Sequence, residues 1–318
     1  MVIRDSRPAR YARPMAEAKR GRIVELLALA ALSMLAPLGC HGCRSEGPRP
    51  PPAAVGGATV KAESLATCDG KAAAARGDSE QGFAGSHGQR AYLLHVPLTA
   101  TPTAPLPVVV AFHGDGGSGA SMRSAGFERV TDNGAILVYP DGKNREWDLE
   151  TLPADNQDYV FFDELVADVA RKACIDPRRI FLFGFSRGGF FANQLACHRG
   201  NLVRGIASNA GGGPYSNSRS DFDGRGIFTG CTTKPPAAMI IHGDGDSTVP
   251  PIAGEKCVRH WRVQNACATE STPREPAPCV TLNGCAEGRP VVACTVPGMG
   301  HQIWAKAAEA SWSFFRSL

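Results

Sequence analysis

The residues able to do chemistry lie far apart in this 318-residue chain. A short apolar run, Ile180–Phe183, leads into Gly184-Phe185-Ser186-Arg187-Gly188-Gly189 and then into a helical pattern. This is G-x-S-x-G between a strand and a helix. It puts a serine on a sharp, strained turn, where side chains at the two flanking glycine positions would collide with neighbouring backbone. The turn lifts the Ser186 hydroxyl above a sheet edge, and the N-terminus of the following helix favours negative charge there. A hydroxyl is a weak nucleophile without a base and a group to orient that base. A histidine and an acid should therefore follow.

On such a turn the order along the chain is serine, acid, histidine. Ala237–Ile241 reads as a later strand. The loop after it, His242-Gly243-Asp244-Gly245-Asp246-Ser247-Thr248-Val249-Pro250, offers two carboxylates, Asp244 and Asp246. Either one can instead close a turn on its own backbone. Of the later histidines, His260 falls inside a helical pattern beside Trp261, a core or surface position. His301 ends Gly298-Met299-Gly300-His301, a Gly-rich loop that can carry an imidazole over the sheet edge, and is the expected base. His113 and His242 each precede a glycine at a strand end and are expected to shape loops.

A second Gly-rich loop, His113-Gly114-Asp115-Gly116-Gly117-Ser118-Gly119, follows the run Val108–Phe112. Gly114, Gly116 and Gly119, with Asp132 further on, match the spacing of a dinucleotide-binding turn. The strand before them is not the first of the sheet, and the loop has another use beside a nucleophilic serine. It can supply one backbone N–H to a developing oxyanion, the second coming from the residue after the nucleophile, Arg187. One such donor is worth about 3–4 kcal/mol of barrier. This chemistry calls for no metal and no organic cofactor.

The elements that must hold these groups follow from the pattern. Ala91–Val96, Val108–Phe112, Ala135–Tyr139, Ile180–Phe183, Val203–Ala207, Ala237–Ile241 and Val291–Val296 are short apolar runs that read as buried strands. Helical spacing over Val160–Ala173, Gly188–Cys197, Gly254–Gln264 and Trp304–Phe315 alternates with them. That predicts an α/β fold, a mostly parallel central sheet with helices on both faces, in one catalytic domain over 63–318. Gly211–Pro236 has no pattern and reads as an ordered active-site loop or a small insertion.

Ahead of that domain, residues 1–40 read as an export signal: a basic segment, then an apolar stretch too short to span a membrane. It ends at Gly39-Cys40, so Cys40 is a lipidation candidate and the chain a candidate for membrane attachment through a lipid. Residues 41–62 are a Pro/Gly-rich tether. Residues 1–39 hold seven Lys/Arg and three Asp/Glu, and the rest balances at 27 of each. The folded part thus has no basic excess for nucleic acid. Eleven cysteines fit an exported, disulfide-bearing protein. Cys174 and Cys197 flank the nucleophile strand and helix. A strand climbing about 16 Å and a helix descending about 15 Å would bring them level, so a bridge between them is expected. Cys267, Cys279, Cys285 and Cys294 crowd the segment before His301, where bridges would brace the base.

Taken together, these segments resemble the α/β-hydrolases, and among them the secreted polyhydroxybutyrate depolymerases, feruloyl esterases and acetylxylan esterases. The likeness covers about residues 85–318. It rests on the His113-Gly114 loop, Val138-Tyr139-Pro140-Asp141, Asp158-Tyr159-Val160, Cys174 to Arg179, Gly184 to Cys197, His242 to Pro250, and Gly300 to Trp304. It implies Asp246 rather than Asp244 as the acid, four residues after His242, and Asp115 as the loop donor. Two departures stand beside the nucleophile: Arg187, where relatives often have Asn, and Asp115, where they commonly have an uncharged residue. A carboxylate near a developing oxyanion must turn away or be paired, and pairing of Asp115 with Arg187 is expected. The resemblance also implies an ester substrate, feruloyl or acetyl on plant polysaccharide, or alternatively a hydroxyalkanoate polyester. A serine peptidase or an inactive binding protein are the other classes on this fold. Phe185, Trp147, Trp304 and Tyr215 are candidates to line the substrate pocket.

Overall fold

The computed structural model describes Leu65, Cys68 and residues 75–318. The export segment with Cys40 and the tether over 41–62 lie outside the described residues. Ten strands form one sheet: β1 (Gly77–Gly85), β2 (Gly88–Val96), β3 (Leu106–Phe112), β4 (Ile136–Pro140), β5 (Ile175–Phe185), β6 (Gly205–Asn209), β7 (Ala237–Gly243), β8 (Ser271–Pro273), β9 (Cys279–Leu282) and β10 (Val291–Val296). Their spatial order is β1-β2-β4-β3-β5-β6-β7-β10-β9-β8. The middle six, β4 through β10 in that order, are mutually parallel, and the strands at both edges are antiparallel. Each apolar run read as a strand lies in or overlaps one.

The helices are α1 (Gly119–Met122), α2 (Phe127–Thr131), α3 (Gln157–Lys172), α4 (Arg187–His198), α5 (Pro251–Gln264) and α6 (Ala307–Arg316). The period of two in the strands divides the core between the two faces. Val108, Val110, Phe112, Ile180, Leu182, Ile206 and Ile240 face one side, where α3, α4 and α5 bring Phe162, Val166, Phe191, Leu195 and Trp261. Val109, Ala111, Phe181, Phe183, Met239 and Ile241 face the other, covered by Phe127 of α2 and by Trp312, Phe314 and Phe315 of α6. Burial on both faces is why these strands read as continuous apolar runs.

The cysteines pair differently from the expectation. Cys174 bonds Cys68, and Cys197 bonds Cys231. The expected Cys174–Cys197 bridge took the nucleophile strand as five residues. β5 has 11, a rise of about 36 Å, whereas the 12 residues of α4 return only about 18 Å. Cys174 therefore ends well below Cys197. Cys267–Cys285 and Cys279–Cys294 do brace the segment before His301. Cys257 is a buried thiol that donates to Asn193 Oδ1. Gly211–Pro236 is an ordered loop tied to α4 by the Cys197–Cys231 bond, with a small bridge between Phe222 and Phe228.

Candidate active site

Ser186 sits between β5 and α4 with φ 53° and ψ −123°, a backbone region that costs a non-glycine residue on the order of 1–3 kcal/mol. Packing enforces it. A Cβ on Gly184 would come 2.1 Å from the Gly188 carbonyl oxygen, and one on Gly188 would come 2.3 Å from that of Phe112. Only glycine fits at either place. The Ser186 N–H donates to the Asn209 carbonyl at the end of β6, and the Ser186 carbonyl accepts from Gly189 and Phe190 in the first turn of α4.

His301, on the loop between β10 and α6, has its Nε2 2.9 Å from Ser186 Oγ. Its Nδ1 is 2.8 Å from Asp246 Oδ2. Asp246 lies on the loop after β7 and is buried; its other oxygen, Oδ1, accepts the N–H groups of Thr248 and Val249 at 2.9 Å each. Burial alone would raise its pKa. The hydrogen bonds from His301, Val249 and Thr248 outweigh burial and hold it below the ordinary carboxylate value. A carboxylate can only accept, so His301 Nδ1 carries the proton and Nε2 presents its lone pair to the serine hydroxyl. Asp244 is elsewhere: it takes the Gly298 N–H at 2.6 Å and so ties the Asp246 loop to the His301 loop.

The His113–Gly119 loop lies directly against the serine. A Cβ on Gly114 would stand 3.1 Å from Ser186 Cβ. Neither the Asp115 N–H nor the Arg187 N–H has an acceptor among the described residues. Two free donors thus border the serine, as an oxyanion needs. The His113 ring accepts the Gly142 N–H on Nε2 at 3.0 Å and so donates Nδ1–H to the Gly114 carbonyl at 2.7 Å. It is a loop strut, and burial depresses its pKa. His242 is another, donating Nε2–H to the Val249 carbonyl at 2.9 Å.

Arg187 Nε donates to the Trp147 carbonyl at 2.6 Å and stands 3.8 Å from Asp115 Oδ1, while Nη2 is 3.3 Å from Glu150 Oε2. The Asp115 side chain is 59% exposed. The guanidinium therefore lies between two carboxylates, of which Glu150 escaped the sequence reading. Beside the serine opens a cavity of about 530 Å³ with Leu149, Phe185, Phe190, Tyr215 and Val249 in its lining. Of the four substrate-pocket candidates, Phe185 and Tyr215 are in this lining. Trp147 is not. It is fully buried, stacked on Phe191 at 5.0 Å and donating Nε1–H to the His113 carbonyl, so it supports the loop from below. Trp304 also lies outside this lining and packs on the α6 side of the core.

Two further residues shape the site in ways the sequence does not assign them, although Asp158 belongs to a segment that carries the resemblance. Asn209 accepts the Ser186 N–H on its carbonyl, donates its side-chain N–H to the Gln302 carbonyl at 2.9 Å, and accepts the Trp304 N–H at 3.0 Å. It therefore joins the serine turn to the histidine loop. Asp158, in the first turn of α3, takes the Asp148 N–H and pairs with the buried Arg90, each at 2.8 Å, anchoring the segment that carries Leu149 and Glu150. Among the described residues no group of three or more His, Cys, Asp or Glu is close enough to hold a metal ion.

No family model matches the chain. Two curated relatives are feruloyl esterase B of Piromyces equi, 23% identical over 235 residues (67% of this chain and 42% of that protein), and feruloyl esterase C of Emericella nidulans, 25% identical over 252 residues (71% and 83%). The chain thus spans less than half the length of the first. Among solved structures, an acetyl xylan esterase from Aspergillus awamori superposes with a TM-score of 0.59 at 16% identity, covering 74% of this chain and 99% of that one. The shared architecture is the α/β-hydrolase fold.

Proposed function

We propose that this chain, an esterase-like α/β-hydrolase, is an exported serine esterase that cleaves feruloyl or acetyl esters of plant polysaccharide. The observation that carries the reading is the unbroken line Asp246–His301–Ser186, with contacts of 2.8 and 2.9 Å. In the cycle, His301 Nε2 takes the Ser186 proton as Oγ attacks the ester carbonyl. The N–H groups of Asp115 and Arg187 hold the oxyanion. Asp246 keeps the imidazole in the right tautomer and stabilises its protonated form. His301 then protonates the leaving alcohol, and water, deprotonated by the same nitrogen, releases the acid.

The substrate class is supported by the relatives and by the cavity, whose apolar and aromatic lining suits an aromatic acyl group. The four disulfides among the described residues support export to an oxidising compartment. Lipid attachment at Cys40 is the further part of the proposal and is read by mass analysis of the mature N-terminus. The central test is Ser186→Ala assayed on methyl ferulate, acetylated xylan, nitrophenyl acetate and polyhydroxybutyrate. Turnover should fall by about 10⁴–10⁶ on every ester the wild type cleaves. A variant keeping more than a tenth of wild-type activity removes Ser186 from the mechanism. Cleavage of the polyester alone would move the substrate assignment there.

A further inference from the structure

The two free N–H donors beside Ser186 belong to different elements. Asp115 lies on the loop after β3, and Arg187 is the first residue of α4. β3 and β5 are neighbours in the sheet, which fixes their spacing within the strands but not past the strand ends. There the loop and the turn touch: a Cβ on Gly188 would stand 2.5 Å from the His113 carbonyl oxygen. Such contact blocks approach and does little to resist separation. Trp147 bridges the gap by other means. It is attached to α4 twice. Its carbonyl accepts Arg187 Nε–H at 2.6 Å, and its ring stacks on Phe191, one turn further along the helix, at 5.0 Å and 7°. It is attached to the loop by its indole N–H, which donates to the His113 carbonyl at 2.9 Å, two residues before Asp115. The same segment holds the other side of Asp115. The Gly116 N–H donates to the Arg145 carbonyl at 3.0 Å, and Arg145 Nε donates to the Gly117 carbonyl at 3.1 Å.

An indole N–H can only donate, and Trp147 is fully buried, so the bond to His113 has no water to exchange with. Arg187 acquires a mechanical task besides its charge. Its side chain ties the residue that bears one donor to the main chain of the residue that grips the loop bearing the other. An oxyanion hole works only if both donors meet the oxygen where its charge develops, and a shift of about 1 Å can cost a hundredfold in rate.

We propose that Trp147 is a positioning residue that sets the gap between the two oxyanion donors, holding α4 with its carbonyl and ring and the His113–Gly119 loop with its indole N–H. The proposal rests on the serine-esterase reading and adds to it a residue that touches no substrate. Trp147→Phe keeps a ring on Phe191 and removes the donor. Replacing Trp147 by 3-benzothienyl-alanine keeps the full shape of the side chain and removes only the N–H, so it carries the test should Trp147→Phe fail to fold. In each, the endpoint of fluorophosphonate labelling should stay at the wild-type level, and kcat per labelled serine should fall about 10–100-fold with KM changed little. A trifluoromethyl ketone, which forms a tetrahedral oxyanion on Ser186, should lose affinity by the same factor as kcat/KM, while the matching methyl ketone, which only occupies the pocket, should not. The double variant Trp147→Phe/Arg187→Ala should lose less than the product of the two single losses, because both open one clamp. A kcat per labelled serine within about twofold of wild type in the benzothienyl protein overturns the proposal. So does equal weakening of both ketones, or a double variant whose losses multiply. A wild type that cleaves esters while the Trp147 variants match it loses the clamp alone. A wild type that cleaves no ester and takes no fluorophosphonate loses the esterase reading as well.

Discussion

At the scale of single residues, the charge beside the nucleophile is the least ordinary part of the site. Asp115 and Glu150 both approach the place where an oxyanion would develop, and Arg187 is the cation between them. Its contacts are loose, 3.8 and 3.3 Å, and the Asp115 carboxylate is mostly solvated, so each pair is worth at most about 1 kcal/mol. A double-mutant cycle on Arg187→Ala and Asp115→Asn should then show coupling of about 0.2–1 kcal/mol in kcat/KM, with Arg187→Ala alone slowing turnover and Asp115→Asn partly restoring it. Strictly additive effects would mean the two charges ignore each other. Ser186 and His301 stood out in the sequence because the chemistry demands those residue types in that order on Gly-rich turns, whereas the choice of Asp246 over Asp244 came from the resemblance alone. Trp147 misled because a large aromatic near a site has the same letter whether it meets substrate or, as here, packs on Phe191 beneath the loop. Burial is a tertiary property, and one-dimensional spacing does not carry it.

At the scale of elements, the site is a junction of strand ends, and Asn209 is its clasp. The end of β6 lies between β5, which presents the serine, and β7, which leads to the acid. One residue there accepts the Ser186 N–H and grips the backbone at Gln302 and Trp304, on either side of the turn that follows His301. Asn209→Ala keeps the serine contact, which is made by the main chain, and releases the histidine loop. Misplacement by about 1 Å can cost a hundredfold, so kcat should fall about 10–100-fold with KM changed little. Fluorophosphonate labelling of Ser186 should slow in proportion. A kcat within twofold of wild type would show that the histidine loop holds itself. Nothing in the sequence marks Asn209, because a polar residue at a strand end is ordinary until its partners are known. The same holds for the edge strands. β3, β5, β7 and β10 are legible as Val/Ile/Phe-rich runs buried on both faces. β1, Gly-Asp-Ser-Glu-Gln-Gly-Phe-Ala-Gly, alternates half-buried and exposed positions, and β8 is three exposed residues. Edge strands with so little to bury leave no apolar run to read.

Across the whole molecule, stability should carry an acid weakness located at the long loop. The parallel sheet and its covering helices were foreseeable, but the loop's attachment was not, because pairing Cys197 with Cys231 depends on a strand length that the apolar run understates. Beneath this loop two histidines are buried side by side with its Phe228: His198, whose ring lies 6.3 Å from the Phe228 ring and accepts or donates a 3.2 Å bond with Thr232, and His260 at 6.5 Å. Burial, reinforced for His198 by the Arg199 charge, pushes each pKa down to about 4. An unfolded histidine titrates near 6.5. Between those values the unfolded chain binds protons that the folded chain refuses, so stability is full above about pH 6.5 and declines as pH falls toward 4. The buried Asp163, with a pKa raised by burial, acts in the opposite sense and softens the decline. From pH 7 to pH 5 the two histidines together should remove about 4 kcal/mol of unfolding free energy. Urea denaturation at the two pH values reads this, with His113, whose pKa burial also lowers, adding to the fall, and His198→Gln should remove about half of the part that His198 and His260 carry. A free energy of unfolding that is level from pH 7 to pH 5 would mean that both rings already exchange protons with solvent in the folded state, and the loop would then open in solution.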